Sequence, residues 1–85
     1  MEIHYFAAAR AAAGCDSETI TDVPATLGEL LDARATTLTG RTDAGMSFAE
    51  VLERCTFLID GRNSPRTASL AGASRVDVLP PFAGG

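Results

Sequence analysis

The run Arg75-Val76-Asp77-Val78-Leu79-Pro80-Pro81-Phe82-Ala83-Gly84-Gly85 decides how the rest of the chain is read. Its first half alternates and predicts a strand over 75–79, with Val76 and Val78 on one face. Its second half cannot continue that strand. Pro80 and Pro81 lack the N–H a sheet ladder needs and hold the backbone extended. Gly84 and Gly85 have no side chain to pack. Fully extended, residues 80–85 span about 20 Å at ~3.3 Å each. The expectation is a folded domain over 1–79, followed by a narrow, flexible arm over 80–85 that ends in a carboxylate. A tip without Cβ atoms threads a tight channel and can place that carboxylate against ATP held by another protein. Adenylation turns an inert carboxylate into an acyl electrophile, from which a sulfur nucleophile displaces AMP to leave a thiocarboxylate. A bare Gly-Gly is more often a frayed end. The Pro-Pro-Phe-Ala-Gly-Gly run directly after a strand sets this one apart, and an apolar Phe82 on the arm points to a partner pocket.

Upstream, Glu2-Ile-His-Tyr-Phe6 alternates and predicts a first strand with Ile3 and Tyr5 on one face. Ala7–Ala13 is rich in the best helix former and stops at Gly14. Ser17–Val23 predicts a second strand, ended by Pro24. Thr26 and Glu29 have the spacing of a capping box, and Leu27, Leu30, Leu31 and Leu38 keep one face of a main helix ended by Gly40. A polar loop over 39–46 precedes a second capping box, Ser47 to Glu50, and an amphipathic turn carrying Phe48, Val51, Leu52 and Cys55. Thr56–Ile59 predicts a strand turned by Asp60-Gly61, and 62–74 reads as irregular. Strands this few must pack one sheet face on the main helix. The predicted class is a small α+β roll, a sheet on a main helix with the first and last strands adjacent in its middle.

Composition excludes several functions. The 85 residues make one domain, and 46% apolar with 21% charged residues is globular. The net charge is −4 and all seven basic residues are arginine. An acidic surface offers no counterion release and no attraction to anionic lipid, so neither nucleic acid nor membrane is expected as a partner. A basic protein partner is expected instead. MEIHYF has neither a basic leader nor an apolar core, and two cysteines make at most one disulfide, which predicts a reducing, cytoplasmic setting. A single histidine, His4, and the absence of a C-x-x-C pair predict no metal site. No phosphate-binding glycine loop and no nucleophile elbow occurs.

The chain resembles the MoaD/ThiS family of ubiquitin-like sulfur carriers. The resemblance rests on Tyr5-Phe6-Ala7-Ala8-Ala9-Arg10, a Phe-Ala-x-x-Arg segment, and on Val76–Gly85, a strand followed by Pro-Pro-x-x-Gly-Gly. It is most similar to the MoaD branch, the small subunits of molybdopterin synthase. The resemblance implies a β-grasp fold with a mixed sheet and a carrier role without catalytic groups of its own. The synthase active site would lie on a MoaE-like large subunit. A MoeB-like enzyme would adenylate Gly85 using ATP, so no cofactor is bound tightly by the carrier. A sulfurtransferase would supply a persulfide, and the thiocarboxylate would convert cyclic pyranopterin monophosphate to molybdopterin. Gly85 would carry the sulfur, Gly84 would give clearance, and Pro80, Pro81, Phe82 and Ala83 would thread the partner. Phe6 and Arg10 match positions at the large-subunit interface. The chain departs from the family in having Ala73-Ser74 where Gly-Asp is common, Asp60-Gly61 for an Asn-Gly-type turn, and Phe82 where a smaller residue is frequent.

Other candidates have plainer readings. His4 is expected to pack or to sit at the surface. Cys55 continues an apolar helical face and is expected in the core, and Cys15 lies in a polar turn with no basic neighbour in sequence that would activate it. Asp16, Glu18 and Asp22 read as a solvated edge, and Glu29 and Glu50 as helix caps. Two further functions use the same tail: sulfur delivery for thiamine thiazole or cysteine biosynthesis, and a ubiquitin-like modifier or interaction module.

Overall fold

A computed structural model describes residues 1–81. Five strands form one mixed sheet in the order β2-β1-β5-β3-β4. They are β1 (Glu2–Tyr5), β2 (Ser17–Thr19), β3 (Thr56–Ile59), β4 (Arg62–Asn63) and β5 (Arg75–Leu79). Three helices, α1 (Ala7–Ala13), α2 (Leu27–Thr37) and α3 (Phe48–Leu52), complete the order β1-α1-β2-α2-α3-β3-β4-β5. The chain's first and last strands lie side by side and parallel, in the register Ile3↔Val76 and Tyr5↔Val78. Every other pairing is antiparallel.

The period-2 pattern explains the layering. Ile3, Tyr5, Phe57, Val76 and Val78 point to one side and are buried there with Leu27, Leu30, Leu31, Phe48, Val51 and Leu52 from the helices. The Tyr5 ring meets Phe48 edge-on, with centroids 5.4 Å apart at 88°, the arrangement the ring quadrupoles favour. α1 contributes only Ala9 and Ala12 to this core. Such small side chains let the helix come close, and Gly40 closes over it: a Cβ on Gly40 would lie 2.3 Å from the Ala12 carbonyl oxygen.

Local chemistry sets the element ends. Gly14 takes a left-handed conformation (φ 77°) and its N–H donates to the Arg10 carbonyl, closing α1. Ser47 and Glu50 form a complete capping box at the start of α3. Asp60 (φ 48°) and Gly61 (φ 83°) make the tight turn that pairs β3 with β4. The Asp60 carboxylate also accepts N–H groups of Ser74 and Arg75, fixing the entry to β5.

Five sequence expectations are corrected. The first strand ends at Tyr5, because Phe6 is already the N-cap of α1. The second strand stops at Thr19 and not Val23: its partner β1 offers only Glu2, Ile3 and His4 to pair with. α2 stops at Thr37, where the Thr36 and Thr37 hydroxyls bond back to the carbonyls of Asp32 and Ala33 and Leu38 turns extended. Gly40 is needed for the approach to Ala12 and does not cap α2. Residues 62–74 hold β4 and the buried Leu70, whose N–H donates to the Ala25 carbonyl beside a Thr26–Ser69 bridge. At the start of α2 only half of the expected capping box forms: Thr26 accepts the Glu29 N–H at 3.3 Å.

Gly40→Ala is expected to lower stability by about 2 kcal/mol, because the Ala12 backbone must shift to admit a methyl group. Gly45→Ala serves as control. Its φ of 84° is strained for alanine but the space is open, so about 1 kcal/mol is expected. Urea unfolding of the two variants measures the difference.

Candidate functional site

β5 is the central strand, so its end leaves the sheet between two neighbours. Because β1 runs parallel to β5, the Tyr5-Phe6 corner stands at the same end of the sheet as Leu79-Pro80. The Phe6 N–H donates to the Val78 carbonyl at 3.2 Å. On the other side Thr56, the first residue of β3, pairs with Leu79. Pro80 is half-buried and Pro81 exposed. Phe82, Ala83, Gly84 and Gly85 lie outside the described residues.

The corner that carries Phe6 is unusual. Phe6 is extended, and Ala7 directly after it has φ 49°, a left-handed conformation that costs an alanine about 1 kcal/mol. This bend turns the chain from β1 into α1. Phe6 stays 38% exposed, one of two large apolar side chains among the described residues to be so open. Arg10 follows one helical turn later, exposed, with its guanidinium 3.7 Å from the Asp16 carboxylate. An exposed pair at that distance contributes little to stability and leaves the arginine available. The fold therefore brings Phe6 beside the root of the arm, while the Arg10 guanidinium, one helical turn on, reaches Asp16 on the β2 side of β1.

Sequence reading missed two apolar positions on the outer face of the sheet, Leu79 at this end and Leu58 farther from the arm, in the row of Asp77 and His4. Leu79 and Leu58 alternate with the buried Val78 and Phe57, and both are half-buried on the face turned from the core. The period-2 geometry of a strand was the available signal: with Val76 and Val78 inward, Leu79 must face out. Farther from the arm this face becomes charged. His4 Nε2 lies 2.8 Å from Glu2, and Arg75 Nε donates to Asp77 at 2.6 Å.

The acidic edge is not uniformly solvated as expected. Glu18 accepts from the Tyr5 hydroxyl at 2.5 Å and from Arg34 at 3.0 Å, while Asp22 is exposed. Burial, with the Glu18 hydrogen bond second, raises the Tyr5 phenol far above its ordinary range. Glu18 thus locks the β1–β2 edge to the end of α2. Glu50, by contrast, sits as a cap. Hydrogen bonds from Ser47 hold its carboxyl below the usual range.

Both thiols are free and half-buried. Burial pushes Cys55 up to about 11, and its S–H donates to the Val51 carbonyl at 3.2 Å. Burial, followed by the Glu18 and Asp16 carboxylates, raises Cys15. Neither is a ready nucleophile at neutral pH. Among the described residues no cluster of three or more His, Cys, Asp or Glu could hold a metal ion, and no helix is long and apolar enough to cross a membrane. Two surface hollows, of about 820 and 420 Å³, are lined by neither Phe6, Arg10, Pro80 nor Pro81.

The Cys55 thiol gives a pH test. Its folded pKa lies above the unfolded value, so the stability it adds is complete below the unfolded pKa of about 8.5 and is lost as pH rises through about 11. Cys55→Val is expected to flatten the fall in stability just above the unfolded pKa, measured by urea unfolding at stepped pH. An unchanged slope would contradict the buried thiol.

Comparison with known proteins agrees with this architecture. The model of the ThiS family matches residues 3–85. No curated protein matches. Among solved structures, SAMP1 from Haloferax volcanii is similar, with TM-score 0.65 and 24% identity over 99% of this chain and 97% of that one. A second structure, described as H. volcanii small archaeal modifier protein 1, has TM-score 0.63 and 22% identity over 95% of each chain. At that identity the two structures establish the β-grasp, ubiquitin-like fold, and with a family match over nearly its whole length the chain belongs to the ThiS family.

Proposed function

We propose that this chain is the sulfur-carrying small subunit of a molybdopterin synthase, with Gly85 as the carrier residue. The observation that carries the reading is the exit of the central strand β5 at Leu79-Pro80-Pro81, directly beside exposed Phe6. The arm and its docking residues share one end of the domain, and the family match runs through Gly84 and Gly85.

The chemistry follows from the tail. A MoeB-like enzyme joins the Gly85 carboxylate to the α-phosphate of ATP, and pyrophosphate leaves. A persulfide sulfur from a sulfurtransferase attacks the acyl carbon, and AMP leaves. Thiol cleavage of the resulting acyl disulfide frees the thiocarboxylate. The arm then enters a MoaE-like large subunit and gives sulfur to cyclic pyranopterin monophosphate, two rounds making one dithiolene. Gly84 lets the backbone pass a narrow channel. Pro80 and Pro81 limit the freedom lost when Phe82 and Ala83 thread it. Phe6 offers an apolar anchor and Arg10 a charge at the rim. The carrier works in the cytoplasm and needs no tightly bound cofactor of its own.

A second reading, a ubiquitin-like protein modifier, is favoured by the likeness to a structure described as a small archaeal modifier protein. It shares the adenylation step and differs in the acceptor, a lysine amine of another protein.

Removal of Gly85 is expected to abolish molybdopterin formation in a reaction reconstituted with the activating enzyme, sulfur donor and large subunit. The urea midpoint should stay unchanged, since a chain's terminal residue as a rule adds little to stability. Full activity without Gly85 contradicts the carrier role. Covalent adducts on lysines of other proteins, with no molybdopterin formed, favour the modifier. Phe6→Ala should weaken association with the large subunit by roughly tenfold or more at near-constant stability, as titration calorimetry would show.

A further inference from the structure

We infer that the folded chain is an acyl donor only: among the described residues no amine, thiol, phenol or imidazole side chain is placed to trap its own activated carboxyl or that of a second copy. The inference rests on the carrier reading of Gly85 and extends it to what the rest of the surface must not do. In a capture event an amine nitrogen or thiolate sulfur bonds to the acyl carbon of the adenylate. The carbon–oxygen bond to AMP breaks and AMP leaves; an attacking amine then gives its proton to solvent, and a thiolate has none to lose. Such a side reaction would consume the carrier and ATP together.

The sequence removes the first class of acceptor. It holds no lysine, and all seven basic side chains are arginines, whose guanidinium stays protonated and is not nucleophilic. The fold restrains the second class. Cys55 is half-buried with its S–H directed to the Val51 carbonyl. Cys15 is half-buried, and burial, followed by the carboxylates of Glu18 and Asp16, disfavours its thiolate. The Tyr5 hydroxyl is committed to Glu18, and His4 Nε2 lies against Glu2. An acyl group on a histidine hydrolyses and leaves no adduct. The Met1 amine is bonded to the Ile20 carbonyl at 3.1 Å. It stands at the opposite end of β1 from the arm, since β1 and β5 run parallel.

Two lysine variants at exposed arginines outside the docking corner, Arg54→Lys and Arg62→Lys, test this. In one arm the full chain is mixed with ATP, magnesium and the adenylating enzyme, without a sulfur source. In the other a synthetic thioester of Phe-Ala-Gly-Gly is added without any enzyme. Adducts are mapped by mass spectrometry. The expected result is no side-chain adduct on the natural chain, and an adduct at the new lysine of each variant that is roughly tenfold or more above any native side chain. An adduct on Cys15, Cys55 or another native side chain within tenfold of the new lysine overturns the inference. Failure of the enzymatic arm to form adenylate strikes the carrier reading alone, because the thioester arm still decides whether the surface accepts an acyl group.

Discussion

The parallel pairing of β1 with β5 is the constraint on which the rest of the structure depends. Parallel neighbours cannot be joined by a hairpin, so the whole chain between them must cross over and return. That excursion contains every helix and leaves the chain's two end strands in the middle of the sheet. The inward faces of the pair, Ile3, Tyr5, Val76 and Val78, are the floor of the core. At about 1.5–3 kcal/mol per fully buried large apolar side chain, these four anchor the register. A slip by one residue would turn them all to the outer face. The same pairing sets Phe6 beside the exit of β5, so fold and candidate site have one cause.

Polar groups sharpen the geometry more than they drive it. Glu18 binds the Tyr5 hydroxyl and Arg34 together, joining sheet edge to helix end. Asp60 accepts from Ser74 and Arg75 and sets where β5 begins. Among the described residues no buried side-chain nitrogen or oxygen lacks a partner. Such satisfied contacts are worth about 1 kcal/mol each but would cost more if half-broken. The surface ion pairs Arg66–Asp32 and Arg41–Glu50 are exposed and at 3.3 and 4.0 Å, where the stabilisation is small.

Much of this was legible in the sequence, where local chemistry decides. The apolar run Thr56–Ile59 with its Asp60-Gly61 turn, the alternation in Arg75–Leu79, the alanine run ended by Gly14, and the Ser47–Glu50 box each carry their structure in a few residues. Misreadings fall where a distant partner decides. Thr21, Asp22 and Val23 are strand-like, yet β1 has nothing left to pair with them. Gly40 looks like a helix stop, yet its lack of a Cβ answers to Ala12 in another helix. Arg62-Asn63 has no pattern of its own and becomes a strand because the Asp60-Gly61 turn returns it to β3. At the candidate site, Phe6 and Arg10 were found through a family-like segment. Leu58 and Leu79 were overlooked because one half-buried leucine per short strand looks like core.

The account depends on what the Gly85 carboxyl becomes. The most direct measurement is the intact mass of the protein isolated from its own cells, with the C-terminal peptide fragmented. The account predicts a fraction heavier by the difference between sulfur and oxygen, with the change confined to Gly85. A carboxylate that stays unmodified after incubation with ATP, the adenylating enzyme and a sulfur donor would contradict it.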